Sequence, residues 1–336
     1  MKAERVFVTG ANGFIGRALV RELVEQGYRV RAAARNHSWH PGDPKIDRVA
    51  MPDLANPASA EKWRELLSDC QYVVHLAGIA HATTEISETL YRRVNGEAVG
   101  EIAGAAREAG VKRFIYISSV RAQSGPVARG ILDESATPQP SDAYGRSKLL
   151  GEEVLIKALD GSGTEWVTLR PVLVYGAGVK GNMERLLTLA SVRMPLPLKS
   201  LRGRRSILSL RNLTAAIVHC LASPAVSGKT FLVADIAAMS VAEIVSALRF
   251  GLKRKAGLFG LPVAPLKLVS RLAGKGDAWE RLDGDLVVST EALRETGFKP
   301  VVGSNRALAD LALSWNIKQG DTSYFGPFKR LLGRGA

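Results

Sequence analysis

Cysteine is almost absent. The chain has two, Cys70 and Cys220, far apart in its 336 residues. Neither a disulfide framework nor a thiolate zinc cluster can be built from them. Histidine is scarce too. His37, His40, His75, His81 and His219 show no spacing to another ligand that would make a metal centre, and no metal is expected. His75, at the end of an apolar strand pattern, and His219, beside Cys220 on an apolar helical stretch, read as core residues. His81 falls in the loop beyond that strand, within reach of a substrate. No window holds about 18 uninterrupted apolar residues, so no membrane-spanning helix is expected. The opening Met1-Lys2-Ala3-Glu4-Arg5 runs straight into a strand pattern and does not fit a signal peptide. An intracellular, cytoplasmic protein is expected.

Acid is the other shortage. Basic residues number 46 and acidic ones 32, a net charge of +14. Nucleic acid is not the expected partner, because the basic residues are mostly scattered and no reader motif is present. The richest stretch is Arg249, Lys253, Arg254 and Lys255, then Lys267, Arg271 and Lys275, interleaved with Leu, Val and Phe. It reads first as a helical region with a solvated basic face. A weak peripheral contact with an anionic membrane is the second reading. A basic site for a polyanionic small molecule is the third. A hydrophobic share of 46% argues against disorder, and the length suits one large domain or two closely fused ones.

The first half alternates between strand and helix patterns. Strands are expected at Arg5–Thr9, Tyr28–Ala34, Ile46–Met51, Gln71–Leu76, Arg113–Ser118 and Glu165–Arg170. Helices are expected at Phe14–Glu25, Pro57–Leu67, Glu88–Ala109 and Ser141–Leu159. That alternation implies βαβ units and a parallel sheet. After Pro171 the rhythm breaks, with a Gly-rich loop at Gly176–Gly181 and helical stretches near Leu213–Leu221, Val241–Phe250, Pro265–Leu272 and Ser304–Trp315. The expected class is α/β: a Rossmann-type doubly wound parallel sheet over residues 1–175. A smaller mixed α/β substrate-binding part over 176–325 is interleaved with it, some of its strands returning to the main sheet. A basic tail covers 326–336.

The first turn carries the most specific signal. Gly10-Ala-Asn12-Gly13-Phe14-Ile15-Gly16 follows a strand and opens a helix. Glycines there allow a tight turn, close approach of a pyrophosphate and close helix–strand packing. The helix N-terminus offers free N–H groups to phosphate. The Gly-x-x-Gly-x-x-Gly spacing resembles the extended short-chain dehydrogenase/reductase superfamily, and more closely its NAD-dependent epimerase/dehydratase branch acting on nucleotide sugars. The resemblance covers nearly the whole chain. It implies a Rossmann fold, a nicotinamide dinucleotide, a UDP-sugar substrate and a homodimer, paired through helices such as Glu88–Ala109 and Ser141–Leu159.

The cofactor's ribose end is unusual. An NAD site places an acid about 20 residues past the turn, yet the second strand ends Ala34-Arg35-Asn36. Arg35, with Arg31 as a second candidate, would pair with a 2′-phosphate. NADP(H) is therefore preferred, with NAD(H) as the alternative. The resemblance further assigns Asp53 and Leu54 to the adenine, Leu76, Ala77 and Gly78 to the pyrophosphate and ribose, and Asn95, Ser118 and Pro171 to the cofactor's surroundings.

Tyr144-Gly-Arg-Ser-Lys148 puts a phenol and an amine on one helix face. A tyrosine base, with an ordinary pKa of about 10, needs a nearby positive charge at neutral pH. Upstream, Ser118-Ser119-Val120-Arg121 ends a buried strand. The resemblance makes Ser119 the hydroxyl that binds the reacting oxygen, Tyr144 the proton carrier, and Lys148 both the charge and a ribose ligand. Related dehydratases carry Thr-Asp-Glu where this chain has Ser119-Val120-Arg121, and neither Val nor Arg can relay protons. Dehydration is not expected.

On the substrate side the resemblance points to Asn182, Arg205 and Arg281 near the nucleotide diphosphate. Tyr175 and the loop Val179–Gly181 would lie near the sugar. The leading expectation is a reductase of a UDP-4-keto-6-deoxy-N-acetylhexosamine, giving a UDP-N-acetyl-quinovosamine type product. A UDP-glucose or UDP-N-acetylglucosamine 4-epimerase would use the same residues. A dinucleotide-binding sensor and a non-sugar ketone reductase are the more distant readings.

Overall fold

The computed structural model describes residues 4–35, 42–80, 86–262, 267 and 283–319. The expected helix over 265–272, together with Arg271, Lys275, Arg281, His37, His40, His81 and the tail, falls outside them wholly or in all but Lys267.

In chain order the elements begin β1 (Arg5–Thr9), α1 (Phe14–Glu25), β2 (Arg29–Ala34), β3 (Ile46–Ala50), α2 (Ala60–Leu67), β4 (Tyr72–His75), α3 (Glu88–Tyr91), a π-helical turn (Arg92–Glu97) and α4 (Ala98–Glu108). Next come β5 (Arg113–Ile117), β6 (Ile131–Leu132), α5 (Ala143–Leu159), β7 (Glu165–Pro171), β8 (Leu173–Tyr175), α6 (Asn182–Ala190), β9 (Arg204–Arg205), β10 (Ile207–Ser209) and α7 (Leu210–Ala222). The last are β11 (Lys229–Val233), β12 (Met239–Ser240), α8 (Val241–Gly251), β13 (Val287–Val288), α9 (Glu291–Glu295) and α10 (Ser304–Gln319).

Seven strands form one sheet in the order β11-β7-β5-β4-β1-β2-β3, and every neighbouring pair is parallel. Parallel strands with helices on both faces must be apolar on both sides. Val6 and Val8 face one cluster with α1 and α7. Phe7, one residue out of phase, faces the other with α2, α4 and α5. A third cluster joins Tyr175, Met183 and Leu187 to Ile244, Leu248 and Leu308, and Phe14 packs against it. Among the elements the sequence does not announce, two matter most. α6 begins at Asn182, directly after Gly181, which sits at φ 73°. β11 lies after the break in rhythm, yet it pairs with β7 in the main sheet.

The helix expected over Glu88–Ala109 is present, with its middle wound as a π turn. Widening the helix by one residue leaves backbone carbonyls without a helical partner. The buried Tyr116 hydroxyl donates to the Asn95 carbonyl at 2.9 Å. Gly96 and Gly151 let α5 approach this turn closely: a Cβ at Gly151 would stand 2.4 Å from the Asn95 carbonyl.

Candidate active site

The glycine turn is shaped by exclusion. Gly10 has φ 65°, and a Cβ there would lie 3.0 Å from the Ala77 nitrogen. A Cβ on Gly16 would lie 2.2 Å from the Gly10 carbonyl. Gly13 N–H closes the turn on the Gly10 carbonyl at 2.9 Å. Gly13 is exposed and caps α1 without any side chain, whereas α2, α5, α7 and α8 each have a Ser or Asp side chain on their first turn. The first N–H groups of α1 are thus available to an anion, which is the fit a dinucleotide pyrophosphate requires. Asn12 directs its carbonyl to Arg17 at 2.8 Å. Ile15 packs on the α1/α7 cluster.

Thr9 ties this turn to the next strand end. Its hydroxyl oxygen accepts from the Leu76 and Ala77 N–H groups, both at 3.1 Å, and it lies 2.8 Å from His75 Nδ1. His75 is fully buried, as expected of a core residue. Burial, and then the Lys148 charge, push its pKa down to about 3, so it is neutral. Thr9 was not singled out from the sequence, where a strand-end threonine looks ordinary.

Gly78 is exposed, with Asn95 and Lys148 beneath it. Asn95 is fully buried. It brackets Ile79, accepting from its N–H and donating to its carbonyl, both at 2.8 Å, and it donates to Ser147 at 3.1 Å. Its side chain therefore holds the loop after β4 to α5. Asp53 is exposed and accepts from Ala55 N–H at 3.2 Å, and Leu54 is buried. Arg35 is exposed at the end of β2. Arg31 is not available for a 2′-phosphate: it pairs with Asp47 at 2.7 Å and donates to the Leu66 and Ser68 carbonyls.

The hydroxyl and the phenol meet, and the amine follows one helical turn along the same helix. Ser119, at the end of β5, hydrogen-bonds the Tyr144 phenol. Asp142 starts the helix by accepting from Gly145 N–H at 2.7 Å, and a Cβ on Gly145 would meet the Arg121 carbonyl at 2.2 Å. That contact seats Tyr144 against the turn after Ser119. Burial pushes the Tyr144 pKa up to about 12, while the Ser119 bond pulls against it. Lys148 is buried, donates to the Ile117 carbonyl at 2.9 Å and lies 4.9 Å from the centre of the Tyr116 ring. Burial brings its pKa down to about 8, and Glu152 opposes the shift.

Below them lies a buried polar chain that the sequence reading did not isolate. Ser118 donates to Glu152. Glu152 is gripped by Arg170 through Nε at 3.0 and 3.2 Å and Nη2 at 2.5 Å. Arg170 also donates to Gln123 at 2.8 Å. Ser118 is thereby directed at Glu152, and Pro171 ends β7 as a buried residue. The signal was present: Glu152 follows Lys148 by four residues, on the same helix face.

The expected substrate residues are more dispersed. Asn182 is exposed on the first turn of α6. Arg205 lies in β9 opposite Met239 and donates to the Pro126 carbonyl at 3.0 Å. Tyr175, expected near the sugar, is fully buried. Its buried hydroxyl donates to Asp235 at 2.8 Å, and Asp235 also accepts from Ser209 N–H, Asn212 and Ser304. Val120 is buried, and Arg121 pairs with Asp142 at 2.5 Å, so the two positions that carry acid and base in dehydratases offer neither.

The sequence model of the NAD dependent epimerase/dehydratase family matches residues 6–234. The chain belongs to that family. As an epimerase/dehydratase-family member it is an enzyme of the extended short-chain dehydrogenase/reductase type. It is 35% identical over 306 residues to a UDP-glucose 4-epimerase of Vibrio cholerae, covering 88% of this chain and 90% of that one. It is 30% identical to a ceramide reductase of Caulobacter vibrioides over 65% of this chain and 61% of the relative. The fold matches a UDP-N-acetylglucosamine 4-epimerase from Bacillus cereus with a TM-score of 0.73, at 18% identity, over 93% of this chain and 99% of that one. No helix among the described residues is long and apolar enough to cross a membrane.

Proposed function

We propose that this enzyme inverts C4 of a UDP-linked hexose by removing and returning a hydride. The contact that carries the reading is the Ser119–Tyr144 hydrogen bond, one helical turn from Lys148, whose amine lies under Gly78. Full-length similarity to a UDP-glucose 4-epimerase supports the choice of reaction. The turn at Gly10–Gly16 and the exposed Gly78 would hold the dinucleotide. When bound, its nicotinamide supplies the hydride acceptor and donor for C4. Ser119 holds the 4-oxygen. Tyr144 would act as a phenolate, its burial offset by the positive charges of Lys148 and of the oxidised cofactor; in that form it takes the proton from that oxygen as the 4-keto sugar forms and returns it afterwards. Lys148, charged below about pH 8, favours that phenolate. Buried Val120 keeps the C4 side free of a second proton relay. Asn182 and Arg205 are assigned to the UDP diphosphate, so Arg205→Ala should weaken UDP binding.

The test gives the purified enzyme UDP-glucose or UDP-N-acetylglucosamine with NAD⁺ and no keto sugar. The 4-epimer should accumulate with no net change in NADH absorbance. Absence of any epimer would remove the epimerase reading.

One observation favours net reduction of a UDP-4-keto sugar by NADPH instead. β2 ends without an acid, and Arg35 stands exposed there, suited to a 2′-phosphate. In that case a UDP-4-keto-6-deoxy sugar should consume NADPH in equal amount, and Arg35→Asp should shift the preference to NADH.

A further inference from the structure

We infer that the surface at the C-terminal end of α8 is a docking face for an anionic lipid bilayer. Three segments meet on one guanidinium. Arg249 is buried and donates to the Val192 and Met194 carbonyls at 2.9 and 2.8 Å, and to the Ala256 and Gly257 carbonyls at 2.6 and 3.3 Å. Arg254 adds a bond to the Ser191 carbonyl. The paired segments are then stitched by backbone bonds: Leu196 N–H to the Gly257 carbonyl, and Phe259 N–H to the Leu196 carbonyl, both at 3.0 Å. The arginines of this basic stretch thus build the platform rather than coat it, contrary to a simple solvated helix face.

What the platform displays is apolar and basic. Phe250 is 77% exposed, Met194 65%, Phe259 42% and Leu261 38%. Lys253 and Lys255 are exposed among them. Residues 192–202 and 249–262 contain no Asp or Glu. On α8 itself the acid is Glu243, in the first turn, where it caps the helix and pairs with Arg204. On packed neighbours, Asp310 follows Ala309, whose backbone crosses Gly251, and Asp283 accepts from the Arg202 N–H at 2.9 Å, at the far end of the 192–202 segment. Exposed apolar side chains and exposed lysines, on segments that carry no acid of their own, match the boundary between acyl chains and anionic headgroups. A second copy of this chain would place lysines against lysines, which argues against self-association here.

The test is co-sedimentation with phosphatidylcholine vesicles, pure or carrying about a third phosphatidylglycerol. The intact enzyme should bind the anionic vesicles and be released by salt. The pair Lys253→Glu and Lys255→Glu, and separately Phe250→Ser with Phe259→Ser, should each lower the partition coefficient about ten-fold or more. Both variants should keep the wild-type turnover, because neither touches the glycine turn or Tyr144. Three results would overturn the inference: no binding to anionic vesicles, equal binding to neutral ones, or variants that bind like wild type. A lipid-free oligomer dispersed by Phe250→Ser would also overturn it in favour of a second copy.

Discussion

Lys148 is an amine in a place that solvates it poorly, so function and stability pull it in opposite directions. Its folded pKa of about 8 lies below the ordinary 10.5. Between those values the unfolded chain binds the proton more tightly. The destabilising contribution is complete below about pH 8 and fades as the pH rises toward 10.5. Lys148→Met should therefore raise the melting temperature at pH 7, and the gap to wild type should narrow by pH 9.5, while turnover collapses. A lower melting temperature at pH 7 would count against this account. Tyr144→Phe should cut turnover by about 10²–10⁴-fold, the usual worth of a general acid–base group, without loss of dinucleotide binding in a fluorescence titration. Gly16→Ala acts differently. Its Cβ would meet backbone at 2.2 Å, so both dinucleotide binding and melting temperature should fall.

Helix α5 carries the candidate pair Tyr144 and Lys148 and, at the same four-residue spacing, Glu152. Glu152 is the joint between α5, Ser118 at the end of β5, and Arg170 at the end of β7. Glu152→Gln leaves the buried Arg170 charge without its counter-ion, a loss on the order of 3–5 kcal/mol. Denaturant titration should report it, and kcat should fall more than KM rises. Replacing both partners by Met should recover part of the stability, because no lone charge stays behind. The boundaries of α1 and β1 and the end of α5 were legible, Gly13 opening α1, whereas α5 starts at Ala143, two residues after the expected Ser141, because Asp142 caps it. The π turn was not legible. It depends on the Tyr116 hydroxyl reaching Asn95 across more than 20 residues of chain, and no local pattern encodes that. The Tyr175 contact was not legible for a similar reason: its partner Asp235 lies in a distant segment. Arg31 looked like a free cation until Asp47 and two carbonyls claimed it.

The whole molecule should be sensitive to acid through His75. Its folded pKa is about 3 against an ordinary 6.5. The unfolded state takes up the proton first, so stability is lost as the pH falls from 6.5 toward 3. His75→Asn keeps an acceptor for Thr9 and cannot ionise, so its acid-unfolding midpoint should lie at a lower pH than wild type's. An unchanged midpoint would place the acid sensitivity elsewhere. The seventh strand bears on how the gene can be cut. Stopping the chain after Tyr175 would strip β7 of its outer neighbour β11 and bare the sheet face that α7 covers with Leu213, Ile217 and Leu221. An unpaired strand edge beside a naked apolar face invites aggregation. The glycine turn therefore cannot be expressed as a free-standing nucleotide module, and any fragment meant to bind dinucleotide has to run at least through Val233.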